Sequence, residues 1–270
     1  MKGSFYNNMG KIRVFFVGIQ FFWVSGVTFY GSFRYLWRSR VELFTMYSVF
    51  CVFGVWSFWQ SVRTCPGFVE KYGENELGEE DAKAGKGFCE LCKCVKEAGV
   101  SHCSSCSRCV INRSHHCHWI NNCVGKYNHK FFVLYLFYSC VWSLFSVGVN
   151  GAVLGGMFME KWDDRQVGLF CLSVISVVVG LVVFGICSMV LYDQIQILKI
   201  KKTNFQFSDL KNTEPRTENF CHQLKKIFGN GPKSLWIFPI LPNTQIIVQE
   251  PPNQSSKYII NKTSLTHQTL

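Results

Sequence analysis

The sequence predicts an all-α polytopic membrane protein, with four transmembrane helices and a cysteine-rich β-hairpin domain between the second and third. Three observations predict it. First, four apolar stretches carry no charge: Val14–Phe33, Leu43–Val62, Phe131–Met159 and Val167–Tyr192. Each reaches the length of about 20 residues that a helix needs to cross the hydrocarbon layer. Second, eight cysteines and four histidines crowd into the short run from Cys89 to Cys123. Third, the basic residues collect on alternate connecting segments.

Taken in order, the first stretch is too long and aromatic for a signal peptide and lacks a small-residue cleavage site, so it reads as a retained helix. Helices buried in a soluble domain are rarely apolar on every face over such lengths. The chain therefore divides into an N-terminus (1–13), helices one and two (14–62), a long loop (63–130), helices three and four (131–192) and a tail (193–270). The cysteine-rich domain occupies about 87–132 of the loop and the start of helix three. Lys and Arg in the five segments outside the spans number 3, 3, 10, 2 and 10. Placing both termini and the long loop in the cytosol puts 23 of the 28 basic residues inside, as the positive-inside rule demands. That topology accounts for the net charge of +11, so nucleic acid is not an expected partner. Lys199, Lys201 and Lys202 would face anionic headgroups.

The long loop opens on a turn, Thr64-Cys65-Pro66-Gly67, followed by an acidic linker, Glu74–Asp81, and Gly85–Gly87. The cluster comes next. A cytosolic cluster sits in a reducing compartment, which favours metal and thiol chemistry over disulfides. Cys-x2-Cys pairs suit tight knuckle turns that present two thiolates to one ion. Short β-hairpins with little apolar core are expected, and metal binding would supply most of their folding energy. Two closed tetrahedral zinc sites use eight ligands, which leaves four side chains over. Two of the cluster's side chains, His115 and Cys117, lie two positions apart. A spare Cys–His pair beside zinc points to a metal-braced thiol enzyme rather than a plain finger. Cys51, Cys140, Cys171 and Cys187 fall inside the spans and read as small apolar residues.

In the tail, Asn219–Gly229 reads as an amphipathic helix. Ser234–Leu241 is apolar but too short to span, and is expected either at the membrane interface or against the cluster. From Gln249 onward the composition is that of a disordered segment. Sequons at Asn112, Asn253 and Asn261 would all be cytosolic, and read as chance matches.

The pattern Cys89-x2-Cys92-x9-His102-Cys103-x2-Cys106-x2-Cys109-x4-Ser114-His115-His116-Cys117-x-Trp119-x3-Cys123-x4-Asn128-x3-Phe132 closely resembles the cysteine-rich domain of the DHHC protein S-acyltransferases. Four spans with this loop between the second and third are also similar to that family's layout. The resemblance implies one zinc on Cys89, Cys92, His102 and Cys109, and a second on Cys103, Cys106, His116 and Cys123. It leaves Cys94, His115, Cys117 and His118 unligated. It also implies Cys117 as nucleophile, His115 as its base and Ser114 as the residue that orients His115.

The implied reaction moves a long-chain acyl group, palmitoyl above all, from acyl-CoA to cysteines of cytosolic or membrane-associated proteins. Each step exchanges one thioester for another, so the task is to generate thiolate and align the partners. His115 is expected to hold the Cys117 thiolate as an ion pair. An acyl chain kept within the spans avoids ~0.8 kcal/mol per methylene of exposure to water. Family habit implies a Golgi or endoplasmic reticulum membrane.

Several positions depart from the family. Ser114 replaces an Asp that would stabilise the protonated histidine, and loss of the analogous charge costs ~10⁴ in serine proteases. Reduced rather than abolished activity is expected here, because thiols ionise more readily than alcohols. Cys65-Pro66-Gly67 stands for Asp-Pro-Gly, and Thr203-Asn204-Phe205-Gln206 for Thr-Thr-x-Glu. His118 replaces Pro, and Cys221–Gly229 with Gln223 stands for the C-terminal motif. The alternative these departures raise is a catalytically inactive relative acting as a scaffold. A RING-type ubiquitin ligase fits less well, since the cluster ends on a single Cys123. Arg108, Arg113, Lys126 and Lys130 are expected either at coenzyme A phosphates or as solvated interfacial charge. Asn128 and Phe132 are expected to cap and pack the start of the third span. Trp142 is expected to face lipid, the other reading being the floor of an acyl cavity.

Overall fold

A computed structural model describes residues 2–35, 40–69, 87–96, 99–159, 166–199 and 220–241. Four long helices are present among them: α1 (Lys2–Tyr35), α2 (Arg40–Arg63), α3 (His129–Met159) and α4 (Val167–Lys199). All four are long and apolar enough to cross a membrane. α1 begins well before the apolar stretch at Val14, because nothing between residues 2 and 13 breaks a helix. The acidic linker, the Thr203–Gln206 segment and the tail from Gln249 lie outside the described residues.

Two compact units divide the chain. The first comprises Lys11–Trp59 and Phe132–Ile195, and so holds most of the four helices. Its outward surface is greasy: Phe15, Phe22, Trp23, Val178, Leu181 and Met189 are all exposed, which suits acyl chains and not water. Its interior carries polar glue. Asn150 Nδ2 donates to Thr28 Oγ1 at 2.8 Å, and the hydroxyls of Thr28 and Ser146 are 2.9 Å apart. These bonds join α1 to α3 in the manner of hydroxyl and amide contacts between membrane helices. Trp142 does not face lipid. It is 1% exposed, with its ring centroid 4.6 Å from that of Phe21 and 6.2 Å from that of Tyr47.

The second unit comprises Met1–Gly10, Gln60–Phe131 and Gln196–Leu270. Its described part is built on three two-stranded antiparallel hairpins: β1 (Gly87–Cys89) with β2 (Cys94–Lys96), β3 (Val100–Cys103) with β4 (Arg108–Ile111), and β5 (His115–Cys117) with β6 (Asn122–Val124). The turn after α2 runs alongside β4, through Val69 N–H to Cys109 O and Ile111 N–H to Gly67 O, both 2.9 Å. Gly67 has φ 103°, a conformation open to glycine.

α5 (Phe220–Phe228) is the expected amphipathic helix. It stops at Gly229, whose φ of 90° and N–H bond to Lys225 O at 2.9 Å are those of a left-handed cap. A 3₁₀ turn follows at Lys233–Trp236, with the Trp236 ring stacked on Phe228 at 5.5 Å. Lys130 is 2% exposed, and its Nζ donates to Leu235 O at 3.2 Å and Ile240 O at 3.1 Å. It serves the tail rather than a phosphate or solvent. The backbone of that apolar segment is thus anchored on the cysteine-rich unit, while Leu235, Ile237 and Leu241 point outward.

Candidate metal centres and catalytic thiol

The three hairpins are copies of one another, each offset from the last by fourteen positions. First strands end at Cys89, Cys103 and Cys117; second strands begin at Cys94, Arg108 and Asn122. Each turn closes on a left-handed residue: Lys93 at φ 51°, Ser107 at 52° and Asn121 at 48°. Successive side chains on a strand point to opposite faces. His102 and Cys103 therefore serve different sites, although they are neighbours in sequence.

Two sets of four donors result, Cys89–Cys92–His102–Cys109 and Cys103–Cys106–His116–Cys123, and within each set all donor atoms lie within 4.8 Å of one another. His102 Nδ1 is 3.2 Å from Cys92 Sγ, 3.6 Å from Cys89 Sγ and 3.9 Å from Cys109 Sγ. His116 Nδ1 is 3.3 Å from Cys106 Sγ and 3.7 Å from both Cys103 and Cys123. A tetrahedron built on ordinary zinc–ligand bond lengths has edges of about 3.6 Å, so both cages fit such an ion. The electrostatics agree. A hydrogen bond from Cys123 holds the Cys106 thiol down at about 4, while that same bond pushes Cys123 up, and burial pushes Cys109 up. Three thiols this close cannot all ionise without a cation among them.

Each set takes the two knuckle cysteines of one hairpin and the flanking His and Cys of the next. Every member of the second set stands one repeat after its counterpart: Cys89 and Cys103, Cys92 and Cys106, His102 and His116, Cys109 and Cys123. Composition and local spacing missed this. The period, legible in the sequence, would have assigned the interleaved sets without any family.

Cys117 is the first knuckle cysteine of the third copy. In place of the second stands Ile120, fully buried. Among the described residues no fourth hairpin follows to complete a cage, because the chain enters α3 at His129. Cys117 belongs to neither donor set. Its sulfur accepts from the backbone amides of Ile120 and Trp119, as the Cys89 sulfur does from those of Cys92 and Leu91. It is therefore a thiol held in a metal-binding turn but outside both metal cages. Opposite it, Asn122 Nδ2 donates to the carbonyls of Ser61, Val62 and Thr64 at 3.1–3.3 Å, tying this hairpin to the end of α2.

His115 and Cys117 alternate on β5 and share a face, their backbones about 6.6 Å apart by strand rise; His116 points the other way, into its cage. Ser114 Oγ lies 3.2 Å from His115 Nδ1. Burial pushes the Cys117 thiol up, against the pull of the two amides. His115 is lowered by burial first, then by its neighbours His116 and Arg113. Desolvation thus penalises the charged form of each partner.

Asn128 ties more than it caps. Its Oδ1 accepts from Gly125 N–H at 2.9 Å, and its Nδ2 donates to Cys123 O at 2.8 Å and Ser61 O at 3.3 Å. Phe132 is buried as expected. Three of the four basic residues considered for phosphate make contacts within the protein. Arg113 Nε donates to Ser101 Oγ at 2.9 Å, Arg108 lies over the Phe68 ring at 4.8 Å, and Lys130 holds the tail. Lys126 is exposed, 5.5 Å from the Tyr127 ring centroid.

The family described as DHHC palmitoyltransferase matches residues 82–211. Probable protein S-acyltransferase 12 of Arabidopsis thaliana is 31% identical over 213 aligned residues, covering 71% of this chain and 70% of that protein. Palmitoyltransferase ZDHHC2 of Rattus norvegicus is 26% identical over 266, covering 83% and 72%, and palmitoyltransferase ZDHHC7 of the same organism is 28% identical over 215, covering 76% and 69%. With two knuckle cages, one uncaged knuckle thiol and this breadth of similarity, the chain belongs to the DHHC palmitoyltransferase family.

Proposed function

We propose that the protein is a protein-cysteine S-palmitoyltransferase working through an acyl-enzyme on Cys117. The observation that carries the reading is the third knuckle, where a cysteine keeps the thiolate-stabilising amides of Trp119 and Ile120 but stands outside both donor sets. Where Ser114 Oγ accepts from Nδ1–H of His115, the other ring nitrogen is the one that acts as base. It takes the Cys117 proton as the sulfur attacks the acyl-CoA thioester. The carbon–sulfur bond to coenzyme A breaks, and the departing thiolate recovers that proton from His115. A substrate cysteine then repeats the exchange against the acyl-enzyme, and Cys117 is the leaving group.

Two zinc ions in the donor sets would fix the hairpins that carry His115 and Cys117, acting as structure rather than as Lewis acid. Acyl-CoA is co-substrate; proteins with accessible cysteines are acceptors. Basic-residue counts support cytosolic termini, with the protein in a Golgi or endoplasmic reticulum membrane. Ser114 supplies an orienting contact without charge, which supports reduced activity. It also supports, more weakly, the second reading of an inactive scaffold.

Incubating the purified protein with labelled palmitoyl-CoA separates the two. The enzyme acquires hydroxylamine-labile label that Cys117→Ser abolishes. Label absent from the wild type, or unchanged in Cys117→Ser, would overturn the proposal.

A further inference from the structure

We propose that Cys94 is a reserve thiolate of the first metal site, able to close the cage in place of Cys109. The inference rests on the two donor sets holding metal. Cys94 is fully buried, in one cluster with Cys89, Cys92 and Cys109. It pairs directly with Cys89 across the hairpin, and residues so opposed have β-carbons about 4.5–5.5 Å apart on one face. Since Cys89 points its sulfur into the cage, Cys94 lies on the metal's side of the hairpin. Its sulfur also interacts with the Cys109 sulfur. A fifth thiol therefore stands beside a site that takes four, outside the set whose donor atoms lie within 4.8 Å of one another. Exchanging Cys109 for Cys94 leaves the donor set at three thiolates and one imidazole, so the charge of the complex does not change.

The repeat supplies an internal control. One period on, Arg108 occupies the position of Cys94, pairs with Cys103 in the same register, and lies over Phe68 instead. Among the described residues the second site has no fifth donor at that position. A cysteine serving only as a small apolar filler would leave the two sites equally sensitive to loss of their last ligand.

The test measures zinc per chain by atomic emission on the full-length protein in detergent. Wild type, Cys94→Ser and Cys109→Ser are each expected to hold two zinc ions. Cys94→Ser/Cys109→Ser and Cys123→Ser are expected to hold one. Cys109→Ser holding one or none overturns the proposal. Alkylation gives a second readout: in Cys109→Ser, Cys94 should resist N-ethylmaleimide until a chelator is added. Its modification beforehand also overturns the idea. A wild type without zinc would instead sink the metal reading on which the inference rests.

Discussion

Ser114 makes the same kind of contact to His115 Nδ1 that a carboxylate would make, at 3.2 Å, but brings no charge to it. Hydrogen bonds with an ionised partner are roughly twice as strong as neutral ones. Replacing the hydroxyl by a carboxylate should therefore favour the protonated ring by about 1.4 kcal/mol, tenfold in rate. Ser114→Asp is expected to raise the rate of acyl-enzyme formation about that much, measured by single-turnover labelling with palmitoyl-CoA. An unchanged rate would show that the serine already orients the ring well enough. Lys130 teaches a different lesson at this scale. Its charge suggested phosphate, yet both carbonyls it meets come from a tail more than a hundred positions downstream. Nothing in the local sequence could reveal that contact.

Among the elements, the third hairpin is set by close backbone approaches. A β-carbon at Gly125 would collide with the Pro66 carbonyl oxygen and crowd the Val110 side chain. Gly125 follows β6 directly and leads into the Asn128 tie. Gly125→Ala should therefore push the hairpin off the turn after α2, at a cost of about 1–3 kcal/mol as for other overpacked sites. Hydrogen exchange at His115–Val124 should quicken, while α3 and α4 stay protected. Slowed or unchanged exchange would mean that the turn yields easily. Legibility at this scale was uneven. The knuckle hairpins followed from Cys-x2-Cys, and the amphipathic α5 from its apolar spacing. Trp142 did not follow, because apolar residues cover every face of α3 in sequence. Only packing against Phe21 and Tyr47 separates its inward side from the lipid side.

For the whole molecule, the two units depend on different forces. The membrane unit is held by apolar packing and a few buried hydroxyls. The cysteine-rich unit is held by its donor sets, whose apolar clusters consist largely of the cysteines themselves. Structural zinc contributes roughly 10–16 kcal/mol per site in small domains. Prolonged chelation should thus unfold the hairpins while the four long helices persist. The measurement is rapid alkylation of all eight clustered cysteines with little loss of helical circular dichroism. Hairpins that stay protected after metal removal would show a core that packs without ions.

Long uncharged apolar runs determined the four spans from sequence alone, since the bilayer sets the length and no other solvent accepts such surfaces. The donor sets followed from resemblance to a family, and the fourteen-residue period of the hairpins carries the same assignment, because strand alternation turns spacing into direction. Tertiary structure alone decided where Lys130 finds its acceptors and which way Trp142 faces. These contacts join residues that no local pattern links, and packing and desolvation, not backbone geometry, choose between them.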